Sequence, residues 1–164
     1  MWPMTPEQLD PAHRRAVSTG IDIDAPAERV WEVMVDAGGY GNWNPFIVSV
    51  DAPRGFGIGE CLTLWVRMPG SRGLTRSREQ VSRCEPPEGG QPGHLVYRYS
   101  DIPSRFGLVR ATRWQGVEPL AADRARYQTI EAFGGWLWRL LPYGRIETGF
   151  AAHAKALKHY CERR

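Results

Sequence analysis

The segment from Ile23 to Phe46 constrains the fold more than any other part of the chain. An alternating apolar pattern leads into it and predicts a strand with one buried face, which Pro26 ends. Apolar residues at helical spacing then predict a short helix that stops at the Gly38–Gly39 pair. An aromatic turn around Trp43, which can form a second short helix, leads directly into the next strand. This order predicts a curved sheet that a helix elsewhere in the chain closes over an interior.

The composition is that of one ordinary globular domain. Hydrophobic residues make up 42% and charged residues 24% of the chain. A chain of 164 residues is long enough to bury a stable core without disulfide bonds. The formal net charge is +3 and the basic residues are scattered among acidic ones, so we expect no nucleic-acid partner. Cys61, Cys84 and Cys161 lie far apart and are odd in number, which argues against a disulfide framework or a zinc site. We therefore expect a cytoplasmic protein with no metal and no cofactor.

Period-two patterns predict a sheet of seven strands, and a helical period follows at the end of the chain. Apolar residues spaced three and four apart form one face of this last helix, at Ile146, Phe150, Ala154, Leu157 and Cys161. A run of strands followed by one amphipathic helix is an α+β pattern. Because an antiparallel sheet of this size curls and the helix must bury its apolar face, we expect the helix to lie in the concavity.

The chain divides into a short tail and one domain. Residues 1–15 are expected to form an N-terminal tail, since Pro3, Pro6 and Pro11 oppose regular structure. Residues 16–164 are expected to form a single ligand-binding domain. Its longest apolar stretch, Trp136 to Leu141, is interrupted by Arg139 and is too short to span a bilayer.

Several short motifs, taken together and in order, resemble the SRPBCC superfamily. The motifs are Ala25–Trp31, Trp43–Ile47, the strand exit Val81–Pro87, Glu131–Gly135, and Gly149–Phe150 with Ala156–Lys158. This helix-grip group includes START lipid-transfer domains and aromatic polyketide cyclase/dehydratases. The resemblance implies a curved sheet wrapped around the C-terminal helix, with a hydrophobic cavity between them. The resemblance does not imply one particular activity, because members of the superfamily use the same fold and cavity for ligand binding, ligand transfer or catalysis.

Side chains that alternate along the strands are the candidates for the cavity wall. Leu95, Tyr97 and Tyr99 share a face of one strand, and Thr112 and Trp114 share a face of the next. The predicted ligand-binding residues are Trp31, Trp43, Asn44, Leu64, Tyr97, Tyr99, Trp114, Tyr127, Thr129, Phe133 and Phe150. Trp31 could instead be core packing, and Asn44 could instead pin its own turn. Such a wall is mostly apolar with a few polar groups, as small-molecule pockets are.

Two residues are candidates for catalysis. Glu131 shares a face with Phe133, and burial in an apolar cavity would raise its pKa towards neutrality. It could instead form a structural ion pair with Arg113. His153 lies one residue from the apolar face of the last helix and either faces the cavity or flanks that face. Arg76 and Glu79 are expected to face solvent.

Three functions stay open from the sequence. The first is binding of a hydrophobic small molecule, such as a lipid, a polyketide or an aromatic metabolite. The second is an enzyme of the polyketide cyclase/dehydratase kind that uses a cavity carboxylate or histidine to move a proton. The third is a protein-interaction module or lipid exchanger that touches a membrane surface transiently through Trp136–Leu141. The oligomeric state is not predicted.

Overall fold

A computed structural model describes residues 2–163 of the chain. One antiparallel sheet has the strand order β1-β7-β6-β5-β4-β3-β2. Its strands are β1 (Arg15–Ile23), β2 (Ile47–Asp51), β3 (Cys61–Val66), β4 (Thr75–Glu85), β5 (Gly93–Tyr99), β6 (Arg110–Ala121) and β7 (Arg124–Gly134). The helices are α1 (Pro6–Leu9), α2 (Ala27–Val35), α3 (Tyr40–Trp43), α4 (Ile102–Arg105) and α5 (Tyr143–Cys161). The predicted α+β helix-grip fold is confirmed, with seven strands and two short helices between β1 and β2.

The long helix α5 lies in the concavity of the sheet, as its apolar face requires. The predicted face is buried at all five of its positions, Ile146, Phe150, Ala154, Leu157 and Cys161. These side chains belong to one core with α2 and the inner faces of the strands. No helix among residues 2–163 is both long enough and apolar enough to cross a membrane.

One glycine sets how closely α5 approaches the start of β2. A Cβ atom at position 149 would collide with the ring of Phe46. Because Gly149 has no side chain, the Phe46 ring packs directly on the helix backbone and meets Phe150 edge to face at 5.9 Å. The backbone of α5 is therefore in direct contact with Phe46 in its second turn.

The segment before β1 packs on the convex face of the sheet. Pro6 occupies the first turn of α1, where a missing N–H group is tolerated, so the prolines do not prevent a short helix. Leu9 is buried, and the Trp2 ring meets Trp114 at 5.0 Å. A second, smaller apolar cluster thus forms behind the sheet, from Leu9, Val96, Trp114, Ile130 and Ala132.

Candidate functional site

A cavity of about 250 Å³ lies between the inner face of the sheet and the first half of α5. Its wall is mainly apolar, with Phe46, Leu64, Val66, Phe133, Ile146 and Phe150 among its residues. Polar groups on four neighbouring strands complete it, namely Thr75, Arg76, Ser77, Glu79, Tyr97, Tyr99, Arg113 and Glu131, of which the Arg76 side chain is 57% exposed. Of the predicted site residues, six line this space: Leu64, Tyr97, Tyr99, Glu131, Phe133 and Phe150.

Arg113 is the most unusual group in the wall. Only 3% of its surface is exposed. Its Nε donates to Thr129 Oγ1 at 3.0 Å, and its guanidinium carbon lies 4.2 Å from the centre of the Phe150 ring. Its Nη2 has no hydrogen-bond partner. A buried charged donor of this kind is costly unless something accepts its hydrogen, so the fold holds this group ready for an acceptor.

Glu131 faces Arg113 directly across the β6–β7 ladder. The two side chains do not form an ion pair within 4.0 Å, since no such pair among residues 2–163 includes either of them. Burial raises the pKa of Glu131 to about 7, and the opposing attraction of Arg113 offsets this only in part. The carboxyl group therefore gains and loses its proton near neutral pH. The alternative reading of Glu131 as half of a close ion pair is not what the structure shows.

Glu79 is a second carboxyl group in the wall, and it was expected to face solvent. Only 7% of it is exposed, and Ser77 Oγ donates to its Oε1 at 2.7 Å. Burial first, and the nearby Glu131 second, raise the pKa of Glu79 to about 8. Ser77, Glu79 and the buried Val81 alternate on one face of β4, and Val81 is the signal that could have revealed the inward face.

His153 is fully buried but does not line the cavity. Asn44 Oδ1 accepts from the backbone N–H groups of Phe46 and Ile47, both at 3.0 Å, which fixes the orientation of the amide. Asn44 Nδ2 therefore donates to His153 Nδ1 at 2.8 Å, and the ring hydrogen of the neutral histidine sits on Nε2. Burial, and then Arg113, lower the pKa of His153 well below its usual value. His153 and Asn44 thus join α5 to the turn before β2, away from the cavity contents.

The other predicted residues that miss the cavity lie deeper in the core. Tyr127 donates to Gln115 Oε1 at 2.7 Å, and Gln115 Nε2 donates to Tyr97 at 3.0 Å. Thr129 does not line the cavity itself; its hydroxyl accepts a hydrogen bond from Arg113 and so helps to position that side chain in the wall. Trp31 and Trp43 pack in the main core, Trp43 against the His153 ring at 5.2 Å.

The prediction that Trp114 and Thr112 face the cavity is wrong. Both lie on the convex face, opposite Ile130 and Ala132 of β7. Trp114 Nε1 donates there to His94 Nδ1 at 3.1 Å. The faces of β6 were assigned by apolar content, but the N-terminal segment covers the convex side and makes it apolar as well. The inward face of β6 instead carries Arg113, and no pattern in the sequence indicates that this charged residue lies inside.

The segment Trp136–Leu141 divides between the inside and the outside of the protein. Leu141 lines the cavity, and Trp138 is partly buried against the core. Trp136 is 86% exposed and Leu140 is 77% exposed. Trp136 N–H donates to Gly107 O at 3.1 Å, which joins the segment to the loop that carries the exposed Phe106. We call Phe106, Trp136, Leu137 and Leu140 the outer patch; beside it, a surface depression is lined by Arg14, Arg110 and Arg139.

Comparison with known families gives one match over most of the chain. Residues 14–154 match the family described as polyketide cyclase/dehydrase and lipid transport. No curated protein matches the chain by sequence.

Solved structures share the fold along nearly the whole chain. The Zhui aromatase/cyclase from a Streptomyces species is 21% identical, with a TM-score of 0.72 over 92% of this chain and 94% of that one. A hypothetical protein from Helicobacter pylori is 16% identical, with a TM-score of 0.77 over 97% and 95%. Norcoclaurine synthase from Thalictrum flavum is 14% identical, with a TM-score of 0.68 over 95% and 91%. At these identities the likeness shows the fold alone.

Proposed function

Because the chain belongs to the polyketide cyclase/dehydrase and lipid transport family, we propose that it binds one small, mainly apolar molecule between the sheet and α5. One observation carries the proposal: an apolar cavity whose wall holds a buried guanidinium with a nitrogen donor left free. Apolar walls with a few convergent polar groups are typical of small-molecule sites. The walls would supply the affinity, and the polar groups would fix the orientation of the ligand.

The size of the cavity narrows the class of ligand. Its volume of about 250 Å³ lies just below the roughly 300 Å³ at which pockets for drug-sized molecules begin. A molecule of one or two rings fits this space, whereas a long lipid chain or an extended polyketide would protrude from it. Of the three ligand classes predicted from the sequence, an aromatic metabolite therefore has the most support.

Filling the cavity tests this proposal. Ala111 lines the cavity, and Leu120 is an exposed residue further along the same strand. We expect Ala111→Phe to weaken the binding of 2-naphthol, a two-ring aromatic, by about tenfold or more, because the new ring occupies its place. Leu120→Phe should bind like the wild type in the same calorimetric titration. Unchanged binding by a folded Ala111→Phe variant, or no binding by the wild type, would refute the proposal.

A second function has support from the two carboxyl groups. The pKa of Glu131 is raised to about 7 and that of Glu79 to about 8, and proton transfer near neutral pH is most efficient with acids in this range. An enzyme of the cyclase/dehydratase kind would hold a ketone in the cavity and move a proton through Glu131, while Arg113 steadies the developing enolate. His153 has no such support, because it does not line the cavity.

A proton-exchange assay tests the second function without a known substrate. The probe is 2-tetralone, whose acidic C–H groups exchange with deuterium at a rate that NMR follows. The enzyme hypothesis predicts exchange faster than in buffer, and a loss of most of this acceleration in Glu131→Gln with binding of the probe retained. Equal rates in wild type and buffer would leave only the binding function.

We also propose that the outer patch touches membrane surfaces transiently. Its exposed aromatic and aliphatic side chains lie next to Leu141, which lines the cavity, and Arg14 and Arg139 lie beside it together with Arg110, which is paired with Asp10. Apolar side chains with neighbouring basic residues suit an anionic lipid surface. The cytoplasmic location stays a prediction from the sequence.

A further inference from the structure

We propose that the ligand carries a single carboxylate, and that this carboxylate binds Arg113 in the place that the Glu131 side chain otherwise competes for. The inference rests on the proposed binding function and names the chemical class of the ligand. It is carried by three features of the cavity: the free donor of Arg113, the groups that surround it, and the position of Glu131.

The buried polar groups without a hydrogen-bond partner are all donors that lack an acceptor. Among residues 2–163, the buried side-chain nitrogen and oxygen atoms without a hydrogen bond are Trp43 Nε1, Arg113 Nη2 and His153 Nε2, and all three are nitrogens. Only Arg113 belongs to the cavity wall. Its charge is permanent, and no carboxylate oxygen lies within 4.0 Å of it. A ligand carboxylate would supply both the missing acceptor and the missing charge.

Few of the groups around Arg113 change charge near neutral pH. Tyr97 on β5, Tyr127 on β7 and Tyr40 on α3 face it, and burial raises the pKa of each tyrosine above its usual value, so all three stay neutral. His153 on α5 stays neutral because its pKa is lowered. That leaves Glu131 on β7 and Glu79 on β4 as the two groups that titrate.

Protonation of Glu131 decides what Arg113 can bind. While Glu131 is protonated, Glu79 is neutral as well because its pKa is higher still, so the guanidinium is the only charge among these groups. A ligand carboxylate then meets a cation in an apolar space, where the attraction is strong. Once Glu131 loses its proton, its carboxylate satisfies the charge of Arg113 and repels the ligand. Affinity for the acid should therefore fall as the pH rises through about 7.

A cationic ligand is a poorer match for the same space. An ammonium group would lie near the buried guanidinium, and its partner Glu131 would have to ionise against the burial that raises its pKa. Two like charges in a low-dielectric cavity repel each other strongly. The rings of an acidic or a cationic ligand would pack equally well against Phe46, Phe133 and Phe150, so the difference lies in the charge.

Three matched ligands test the proposal by calorimetric titration of the whole protein. They are 2-naphthoate, 2-naphthamide and 2-naphthylmethylamine, which share the same two rings and differ in charge. At about pH 6 we expect the acid to bind about tenfold tighter than the amide or the amine. At about pH 8 its affinity should fall about tenfold, because Glu131 has a pKa of about 7. Glu131→Gln should lose most of this fall and keep only the smaller part that comes from Glu79, whose pKa is about 8.

Variants at Arg113 separate this proposal from the binding function. Arg113→Gln should bind the acid and the amide alike, and Arg113→Lys, which keeps the charge, should restore part of the preference for the acid. If the amide equals the acid in the wild type, or the amine binds tighter, the acidic ligand is refuted while cavity binding stands. A fall of the same size in Glu131→Gln as in the wild type also refutes the role of Glu131. If none of the three ligands binds, both the acidic ligand and the proposed function fail.

Discussion

Glu131 and Glu79 show how far the sequence predicts the role of a single residue. The alternation from Tyr127 to Phe133 placed Glu131 on the inner face of β7, and Phe133 and Glu131 do line the cavity. Glu79 is harder to place, because Val81 is the apolar residue that marks its face of β4, while Thr75 and Ser77 on that face are polar. Arg113 was seen only as a partner for Glu131, since a charged residue inside a strand normally defaults to solvent.

The pH dependence of stability should report on Glu131 directly. Its pKa is raised from a usual 4.5 to about 7, so the folded protein holds this proton more tightly than the unfolded chain. The resulting stabilisation is complete below about pH 4.5 and is lost as the pH rises to about 7. Each unit of difference corresponds to about 1.4 kcal/mol in the free energy of unfolding.

Urea denaturation of wild type and Glu131→Gln measures this effect, with Glu79 present in both proteins. The wild type should lose stability relative to the variant between about pH 4.5 and about pH 7, by a few kcal/mol at most. A difference between the two proteins that does not change with pH would contradict the buried position of the carboxyl group.

At the scale of elements, helix α5 was predictable and its approach to the sheet was not. The apolar spacing from Ile146 to Cys161 predicted the face that is buried. Gly149 lies beside that face, and nothing in its spacing shows that the ring of Phe46 occupies the place of its missing side chain. Contacts between distant segments of this kind depend on packing, which periodicity does not encode.

The contact between Gly149 and Phe46 should be sensitive to one methyl group. Gly149→Ala would force the Phe46 ring or the helix to move, and overpacking of this kind typically costs about 1–3 kcal/mol. Gly144→Ala is the matched control, because Gly144 is exposed in the first turn of α5 with open space around it. That control should be neutral or gain up to about 1 kcal/mol. Equal stability of both variants in urea titrations would show that the helix does not press on Phe46.

The outer patch should govern binding to lipid vesicles. Trp136→Glu places a charge at its most exposed position and should reduce co-sedimentation with phosphatidylglycerol vesicles by about half or more. Ile58→Glu changes another exposed apolar residue, in the β2–β3 turn, and should have no such effect. Equal partitioning of both variants and the wild type would argue against the membrane contact.

For the molecule as a whole, the seven antiparallel strands and the enclosed helix followed from the sequence, but the side chains on each face of the sheet did not. Seven alternating segments and one amphipathic helix allow few arrangements, and the helix-grip fold is the one found. The faces of β6 were reversed in the prediction because the N-terminal segment gives the sheet an apolar cluster on its convex side too. With two buried faces, alternation alone cannot say which face lines the cavity.

The volume of the cavity could not be predicted from the sequence either. It depends on how far the sheet bends and on where α5 is pinned, and both are results of packing. The structure leaves about 250 Å³ open beside the first half of the helix. This volume is what supports a ligand of one or two rings over a long chain.

A crystal structure of the protein with 2-naphthoate at about pH 6 would show whether the cavity holds this ligand. We expect the two rings among Phe46, Phe133 and Phe150, with the carboxylate within hydrogen-bonding distance of Arg113 Nη2. A ligand found only on the outer surface, or a cavity closed by its own aromatic side chains, would contradict this expectation.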